Sequence, residues 1–188
     1  MKLYILLAHP DTDSFNGQLA DAYEQAAIGK GHEVRRQNLG ELTFDPILWK
    51  GYKEIQKLEP DLQEAQRNII WCDNWIIFYP VWWGSVPALF KGFIDRTLYP
   101  GFAFKYHDKD PFWDKLLRER SAHVITTCDA PWLWIWWEYR NSDIRTVRNA
   151  ILKFCGISPV KHTRIDRVKY LSQTDRQKKI QKLVASIN

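Results

Sequence analysis

Residues 8–16 (AHPDTDSFN) carry imidazole, hydroxyl and amide side chains directly after a continuous apolar run, residues 3–8. Such a run is typical of a strand that is buried on both faces of a parallel sheet. Apolar residues at helical spacing begin at Phe15, so a strand-to-helix turn is predicted here. The free N–H groups and the helix dipole at such a turn favour an anion. Taken alone, the segment is equally consistent with Ser14 acting only as a helix cap.

This turn lacks the sequence patterns of the common nucleotide sites. It contains neither the G-x-G-x-x-G of dinucleotide-binding turns nor the G-x-x-x-x-G-K-[ST] of a P-loop. ATP hydrolysis and a standard Rossmann NAD site are therefore not supported. His9 has no second His or Cys at ligand spacing, so no metal site is predicted.

Residues 79–88 (YPVWWGSVPA) place two adjacent tryptophans, Trp82 and Trp83, after a second apolar strand at 75–79. Pro87 is well placed to begin the next helix. Two neighbouring side chains cannot both enter the core at this point, so at least one is expected to line a cleft. A planar ligand stacked here, with a phosphate at residues 8–16, would use both segments. Flavin fits that description better than a nucleoside triphosphate, because no carboxylate suited to Mg²⁺ accompanies the segment.

A third candidate segment, residues 127–140, follows the predicted strand 123–127 and is rich in tryptophan. In open parallel sheets, ligands bind beyond the carboxyl ends of the strands, which is where all three segments are predicted to lie. The aromatic cluster at 132–137 is equally consistent with a subunit interface and with the roof of a substrate site. Cys128 is interpreted as a small buried residue rather than a redox-active thiol.

The order of these elements predicts one α/β domain over residues 1–188, with a doubly wound parallel sheet of five strands and helices on both faces. The final helix is expected to begin at a capping box formed by Ser172 and Asp175. Lys91 and Arg96 are expected on the solvated side of their helix. The predicted strands lie at 3–8, 32–39, 75–79, 123–127 and 160–166, and the predicted helices at 15–29, 61–72, 87–98, 144–154 and near the C-terminus.

Charge and composition narrow the class of protein further. The chain has 188 residues and a net charge of +5, and residues 161–188 alone carry eight basic and two acidic residues. A basic excess confined to one terminal helix favours a solvated helix face over a nucleic-acid surface. The apolar runs are too short for a membrane span, and the three cysteines have no close spacing. A cytoplasmic protein without membrane insertion is therefore expected.

Taken together, five segments resemble the NAD(P)H:quinone reductase family of DT-diaphorase-like flavoenzymes. The resemblance implies a flavodoxin-like fold with strand order 2-1-3-4-5 and a homodimer whose active site forms across the interface. It also implies two-electron, ping-pong hydride transfer from NAD(P)H through a flavin to a quinone or similar flat aromatic acceptor. FAD is slightly favoured over FMN, although the chain is as short as many FMN-using members. The segments are AHPDTDSFN (8–16), YPVWWGSVPALFKGFIDR (79–96), GFAFKY (101–106), TT (126–127) and FCGI (154–157).

The resemblance also implies roles for particular residues. The first segment would hold the flavin phosphate, the second would line the isoalloxazine ring, and the third would approach its pyrimidine side. The third segment departs from the family because no His follows it, so a His-assisted charge relay is not supported. Trp134, near the family's Tyr position, and Tyr139, the nearby phenol, remain as catalytic candidates. Solvent or the ribityl hydroxyls would also serve as the proton donor. The implied cofactor-binding residues are His9, Ser14, Phe15, Asn16 and Gln18; Pro80, Val81, Trp82, Trp83 and Gly84; and Thr126, Thr127, Cys128 and Asp129.

Two alternatives from other classes stay open. A flavodoxin-type electron carrier would share the fold, but such carriers are typically acidic, whereas the isoelectric point of this sequence is about 9.1. A flavin-binding regulatory subunit would use the basic terminal helix to dock on an acidic partner.

Overall fold

Five parallel strands form the central sheet in the computed structural model, which describes residues 1–187. The strand order is β2-β1-β3-β6-β7, and every neighbouring pair runs parallel. The predicted order 2-1-3-4-5 of the central strands is thereby confirmed. The strands are β1 (Lys2–Leu7), β2 (Glu33–Asn38), β3 (Asn74–Pro80), β4 (Phe104–Tyr106), β5 (Trp113–Lys115), β6 (Ser121–Thr127) and β7 (Val160–Ile165).

Helices cover both faces of this sheet. Between α5 and α6 the chain continues as a π-helical stretch, Thr146–Leu152, so residues 142–155 form one long helical segment where a helix over 144–154 was predicted. Short 3₁₀ turns occupy Leu39–Glu41, Gly51–Lys53 and Val168–Tyr170. The α-helices are α1 (Phe15–Gly29), α2 (Pro60–Trp71), α3 (Ala88–Thr97), α4 (Trp132–Trp137), α5 (Ser142–Arg145), α6 (Lys153–Cys155) and α7 (Gln173–Val184).

Successive side chains of the central strands point to opposite faces of the sheet, so the core is divided into two layers. Tyr4 and Leu6 face a cluster that includes residues of α2, α3 and the 142–155 segment. Leu3 and Ile5 face a second cluster, which includes residues of α1 and α7. Because successive side chains of a strand point to opposite faces, a strand buried on both sides must be apolar throughout, as β1 and β3 are.

Two elements were not predicted from the sequence. The antiparallel pair of β4 and β5 has strands of three residues each, too short for an alternation pattern to be recognised. Trp113 of this hairpin stacks on Phe154 at 4.5 Å between ring centroids. The helix α4 lies in the segment interpreted as a loop. Its six residues are all apolar, but only Ile135 is buried, so no stripe of buried residues marks the helix.

Arg96 corrects one expectation, since its side chain is buried rather than solvated. Its Nη2 donates to Glu59 Oε2 at 2.8 Å and to the Lys57 carbonyl at 2.9 Å. The reason is that the segment leading to α2 crosses this side of α3, where a Cβ on Gly92 would lie only 2.5 Å from Pro46. Lys91 is exposed as expected and pairs with Asp95 of the next turn.

The C-terminal helix begins as predicted, because Ser172 Oγ accepts a hydrogen bond from the Asp175 N–H at 3.2 Å. Its Leu183 is buried against the second core layer. Within residues 1–187, no helix has the length and apolar character needed to cross a membrane.

Candidate functional site

Three loops begin at one edge of the sheet. The strands β1, β3 and β6 are parallel neighbours, with Leu7 opposite Phe78 and Pro80 opposite Thr127. We call the segments that follow them loop 1 (8–14), loop 2 (81–87) and loop 3 (128–141, which contains α4). This edge is the carboxyl end of the sheet, where open α/β folds place their ligands.

Loop 1 folds tightly over the start of α1. His9 Nδ1 accepts a hydrogen bond from the Asp11 N–H at 2.9 Å, and Ser14 Oγ accepts one from the Gly17 N–H at 3.2 Å. A Cβ on Gly17 would lie 1.8 Å from the Thr12 carbonyl oxygen, so only glycine fits there.

The cap leaves donors free at the same helix terminus. The N–H groups of Phe15 and Asn16 have no acceptor among residues 1–187, as expected for the first turn of a helix. The 15-residue helix α1 therefore presents unpaired donors and the positive end of its dipole beyond β1.

Loop 2 forms a tight turn through two left-handed residues, Trp83 (φ 52°) and Gly84 (φ 67°). The Trp82 N–H donates to the Ser85 carbonyl at 3.0 Å, and the Ser85 N–H returns a bond at 2.9 Å. Two consecutive positive φ values are typical of a type I′ turn, in which a tryptophan is strained. The N–H groups of Trp83 and Gly84 donate to no acceptor in the described chain.

Both tryptophans of loop 2 face outward. Trp82 is 43% exposed and Trp83 is 101% exposed, so the two side chains do not both enter the core. That one of them lines a cleft stays a prediction. A strained turn that holds two indoles and two free N–H groups at the surface is suited to a flat ligand with a polar edge.

The threonines that precede loop 3 are buried and bonded. Thr127 Oγ1 accepts a hydrogen bond from Asn16 Nδ2 at 2.7 Å, and Thr126 Oγ1 lies 3.0 Å from His162 Nε2. Cys128 is also buried, and its Sγ donates to the Ala130 carbonyl. Burial raises the pKa of the Cys128 thiol to about 12, so the thiol stays protonated at neutral pH.

Three of the predicted side chains take no part in the contacts between the three loops. The Phe15 ring is buried in the core and lies under the Arg176 guanidinium at 5.2 Å. Asp129 Oδ1 accepts a hydrogen bond from the Lys169 N–H at 2.9 Å. Gln18 is exposed, and its side chain makes no hydrogen bond with residues 1–187.

The other predicted residues come together through contacts between the loops. Loop 1 meets loop 2 where the His9 and Trp82 rings pack edge to face at 5.7 Å. Loop 2 meets the end of β6 where the Val81 N–H donates to the Thr127 carbonyl at 2.7 Å. With the Asn16–Thr127 hydrogen bond, these contacts join all three strand ends into one surface.

Loop 3 returns to loop 2 through Tyr139. A Cβ on Gly84 would lie 3.1 Å from the Tyr139 ring, and Ser142 Oγ donates to the Gly84 carbonyl at 2.6 Å. Trp134, the other catalytic candidate, is 52% exposed on α4. Tyr139 is thus the candidate that contacts the strained turn.

Sequence reasoning missed the residues that hold the chain directly after Tyr139. Arg164 of β7 donates to Asp143 Oδ2 at 2.7 Å and to Asn141 Oδ1 at 2.8 Å, and the Tyr79 hydroxyl donates to the Asp143 carbonyl at 3.1 Å. Asp143 is completely buried. No sequence signal links these residues, because they become neighbours only when β7 pairs with β6.

The donors present at this surface fit a flavin. The free N–H groups at the start of α1 suit its phosphate, and those of the loop 2 turn suit the polar edge of its ring. Asn16 Oδ1 is buried without a hydrogen-bond partner in the described chain. A ribityl hydroxyl would satisfy an acceptor of this kind, which would otherwise carry a desolvation cost.

Comparison with known proteins supports the same fold. A family model described as the flavodoxin-like fold matches residues 1–188 of this chain. The chain belongs to this flavodoxin-like family. Among solved structures of the fold, Smu.1420 from Streptococcus mutans UA159 is 31% identical and superposes with a TM-score of 0.84, covering 98% of this chain and 97% of that chain.

Two curated relatives match this chain over part of their own length. The rat NAD(P)H dehydrogenase (quinone) 1 is 29% identical over 81% of this chain and 64% of its own length. An uncharacterized NAD(P)H oxidoreductase of Escherichia coli (strain K12) is 30% identical over 59% of each. The chain thus spans about three fifths of the length of these relatives.

Proposed function

We propose that the protein is a flavin-dependent NAD(P)H oxidoreductase that passes two electrons, by a ping-pong mechanism, to a quinone or similar flat aromatic acceptor. The observation that carries this proposal is the joining of loop 1, loop 2 and the end of β6 into one surface with free donors at two places. The names of the rat and Escherichia coli relatives support the reaction class.

The residues of this chain would bind and orient the cofactor. The N–H groups of Phe15 and Asn16, with Ser14 as the cap of the same helix, would hold the phosphate. The N–H groups of Trp83 and Gly84 would hold the polar edge of the ring. When bound, the flavin supplies the two-electron chemistry that no side chain of the surface provides.

The exposed indoles would bind the reacting partner of the flavin. Trp82 and Trp83 present flat surfaces on which a nicotinamide or a quinone would stack. Tyr139 packs against the turn and carries the one phenol at this point of loop 3, while the indole N–H of Trp134 is not an acid at neutral pH. Of the two catalytic candidates, we retain Tyr139.

We further propose that the protein forms a homodimer in which the second copy covers the proposed flavin surface. Apart from Ile135, the side chains of α4 are exposed, among them Trp132 and Trp134, which do not line the cavity described below. Exposed aromatic clusters of this kind mark sites of interaction. A second copy that covered part of loop 3 would exclude water from the stacking surface of loop 2.

FAD remains the favoured flavin, as the resemblance to the quinone reductase family implies, and FMN is the alternative. The flavin released from purified protein by heat, separated by chromatography against both standards, identifies the form. Release of FMN alone would reverse this preference without affecting the reductase proposal.

An absorbance experiment tests the reaction. Purified protein reconstituted with flavin should show the visible flavin bands, lose them under anaerobic NADPH and regain them when menadione is added. Failure to bind either flavin would overturn the assignment of all three segments. Flavin that binds but is not bleached by NADH or NADPH would instead support a carrier or regulatory protein.

A further inference from the structure

An open cavity of about 320 Å³ lies beside α4. It is lined by Trp136, Trp137, Arg140, Asn141 and Arg145. The two indole rings are 6.1 Å apart at an angle of 49° and are largely exposed. The cavity therefore combines flat apolar walls with two guanidinium groups.

The positive charge of this cavity is not neutralised by the described chain. Neither Arg140 nor Arg145 makes a side-chain hydrogen bond or an ion pair with residues 1–187, and Glu138, the acidic residue between them and α4, makes no ion pair there. Arg36, by contrast, pairs with Asp21 and Glu24. Unpaired guanidinium groups are suited to bidentate bonds with a carboxylate, sulfonate or phosphate.

The floor of the cavity is held in a fixed conformation. Arg140 and Asn141 both adopt left-handed backbone angles, with φ of 52° and 54°. The Asn141 N–H donates to the Ile135 carbonyl at 3.0 Å, and Asn141 Oδ1 accepts a bond from Arg164 at 2.8 Å. Two consecutive non-glycine residues in this region are uncommon and persist only where surrounding contacts impose them.

The cavity adjoins the proposed flavin surface. Tyr139 packs its ring on Gly84 of the loop 2 turn, and the next residue, Arg140, lines the cavity. The cavity and the loop 2 turn are therefore linked through two consecutive residues of loop 3.

We propose that this cavity binds the oxyanion of a flat aromatic substrate, so that the enzyme prefers acceptors that carry a sulfonate or carboxylate. The inference rests on the proposed function for the identity of that substrate. The adenosine part of NADPH offers the same chemistry, a flat adenine ring beside a ribose phosphate, and steady-state kinetics separate the two sources.

Binding of a redox-inert probe tests the site without catalysis. Naphthalenesulfonate should quench the tryptophan fluorescence of the full chain, with an affinity that falls as salt is added. The variant Arg140→Gln/Arg145→Gln should bind the probe at least about tenfold more weakly, because two charge-assisted contacts are lost. The matched control Arg67→Gln, an arginine of α2 that is 63% exposed, should bind it like the parent. Equal affinity in all three proteins would overturn the proposal.

Steady-state kinetics with the flavin-loaded enzyme identify the source of the oxyanion. The double variant should raise KM for a naphthoquinone sulfonate and leave KM for unsubstituted naphthoquinone unchanged. A rise in KM for NADPH but not NADH, with no change for the sulfonated quinone, would overturn the assignment to the acceptor. A protein that binds the probe through these arginines but reduces no quinone would contradict the proposed function and leave the anion site standing.

The subunit number and the folding of the double variant are measured as well. The molar mass of the double variant, measured by light scattering, should match that of the parent. A changed number of subunits with unchanged probe affinity would show that the arginines form a subunit contact, and it would overturn the proposal. If the double variant does not fold by circular dichroism, the salt dependence of probe binding by the parent decides, since binding that is independent of salt would exclude an arginine site.

Discussion

Asn16 Nδ2 donates to Thr127 Oγ1 over 2.7 Å, although the two residues lie 111 positions apart. The bond ties the first turn of α1 to the last residue of β6, and both side chains are buried. It therefore fixes the distance between the helix terminus proposed for the phosphate and the strand end proposed for the ring.

Asn16→Ala is expected to weaken both the fold and flavin binding. Loss of the bond leaves Thr127 Oγ1 buried without its donor, which should lower the free energy of unfolding by about 1–2 kcal/mol. The dissociation constant for flavin, measured by fluorescence titration, should rise about tenfold or more. Gln25→Ala, an exposed position on the same helix, is the control and should change neither quantity. A variant that loses stability but binds flavin like the parent would limit Asn16 to a structural role.

Trp83→Gly separates strain from function. Glycine adopts a φ of 52° without the penalty borne by tryptophan, and the Trp83 side chain is fully exposed, so the free energy of unfolding should rise by about 1 kcal/mol. The same change removes a stacking surface, so kcat/KM for a quinone should fall about tenfold. Trp83→Phe should keep most of the activity. A glycine variant as active as the parent would show that the indole does not contact the acceptor.

The sheet could be predicted from the sequence because its central strands are buried on both faces. Residues 3–8 and 75–79 are apolar without interruption, and this pattern leaves few alternatives to parallel strands covered by helices. The positions of loop 1 and loop 2 then follow, because parallel strands end at one edge.

The remaining features depend on contacts that no local pattern records. Arg96 looks like a surface residue at its helix position and is buried only because a distant segment brings Glu59 against it. The Asp143–Arg164 pair, 21 positions apart, likewise required the pairing of β6 with β7. The helix α4 was missed because six mostly aromatic residues have no helical period to detect.

The buried histidines predict a loss of stability in mild acid. Burial lowers the pKa of His123 to about 4 and that of His162 to about 3, so both are neutral in the folded protein above these values. The unfolded chain protonates its histidines near pH 6.5, so between about pH 6.5 and 4 it binds more protons than the folded state. The free energy of unfolding should therefore fall as the pH is lowered through this window.

Urea unfolding at pH 6.5 and 5 measures this effect. Each buried histidine should contribute a loss of between about 1 and 2 kcal/mol over that interval. His123→Gln, which retains a group able to bond Thr163, should show about half the loss of the parent. A parent protein equally stable at both pH values would contradict the prediction.

Gly84→Ala should disturb the contact between loop 2 and Tyr139. An added Cβ would lie 3.1 Å from the ring, and the φ of 67° disfavours any side chain, so the free energy of unfolding should fall by about 1–2 kcal/mol. Displacement of the turn should also weaken flavin binding, because the proposed donors to the ring are the Trp83 and Gly84 N–H groups. The double variant Gly84→Ala/Tyr139→Ala removes the close contact but keeps the backbone strain. Partial recovery of flavin affinity in the double variant, measured by titration, would assign the defect to the crowded ring, whereas no recovery would assign it to the turn itself.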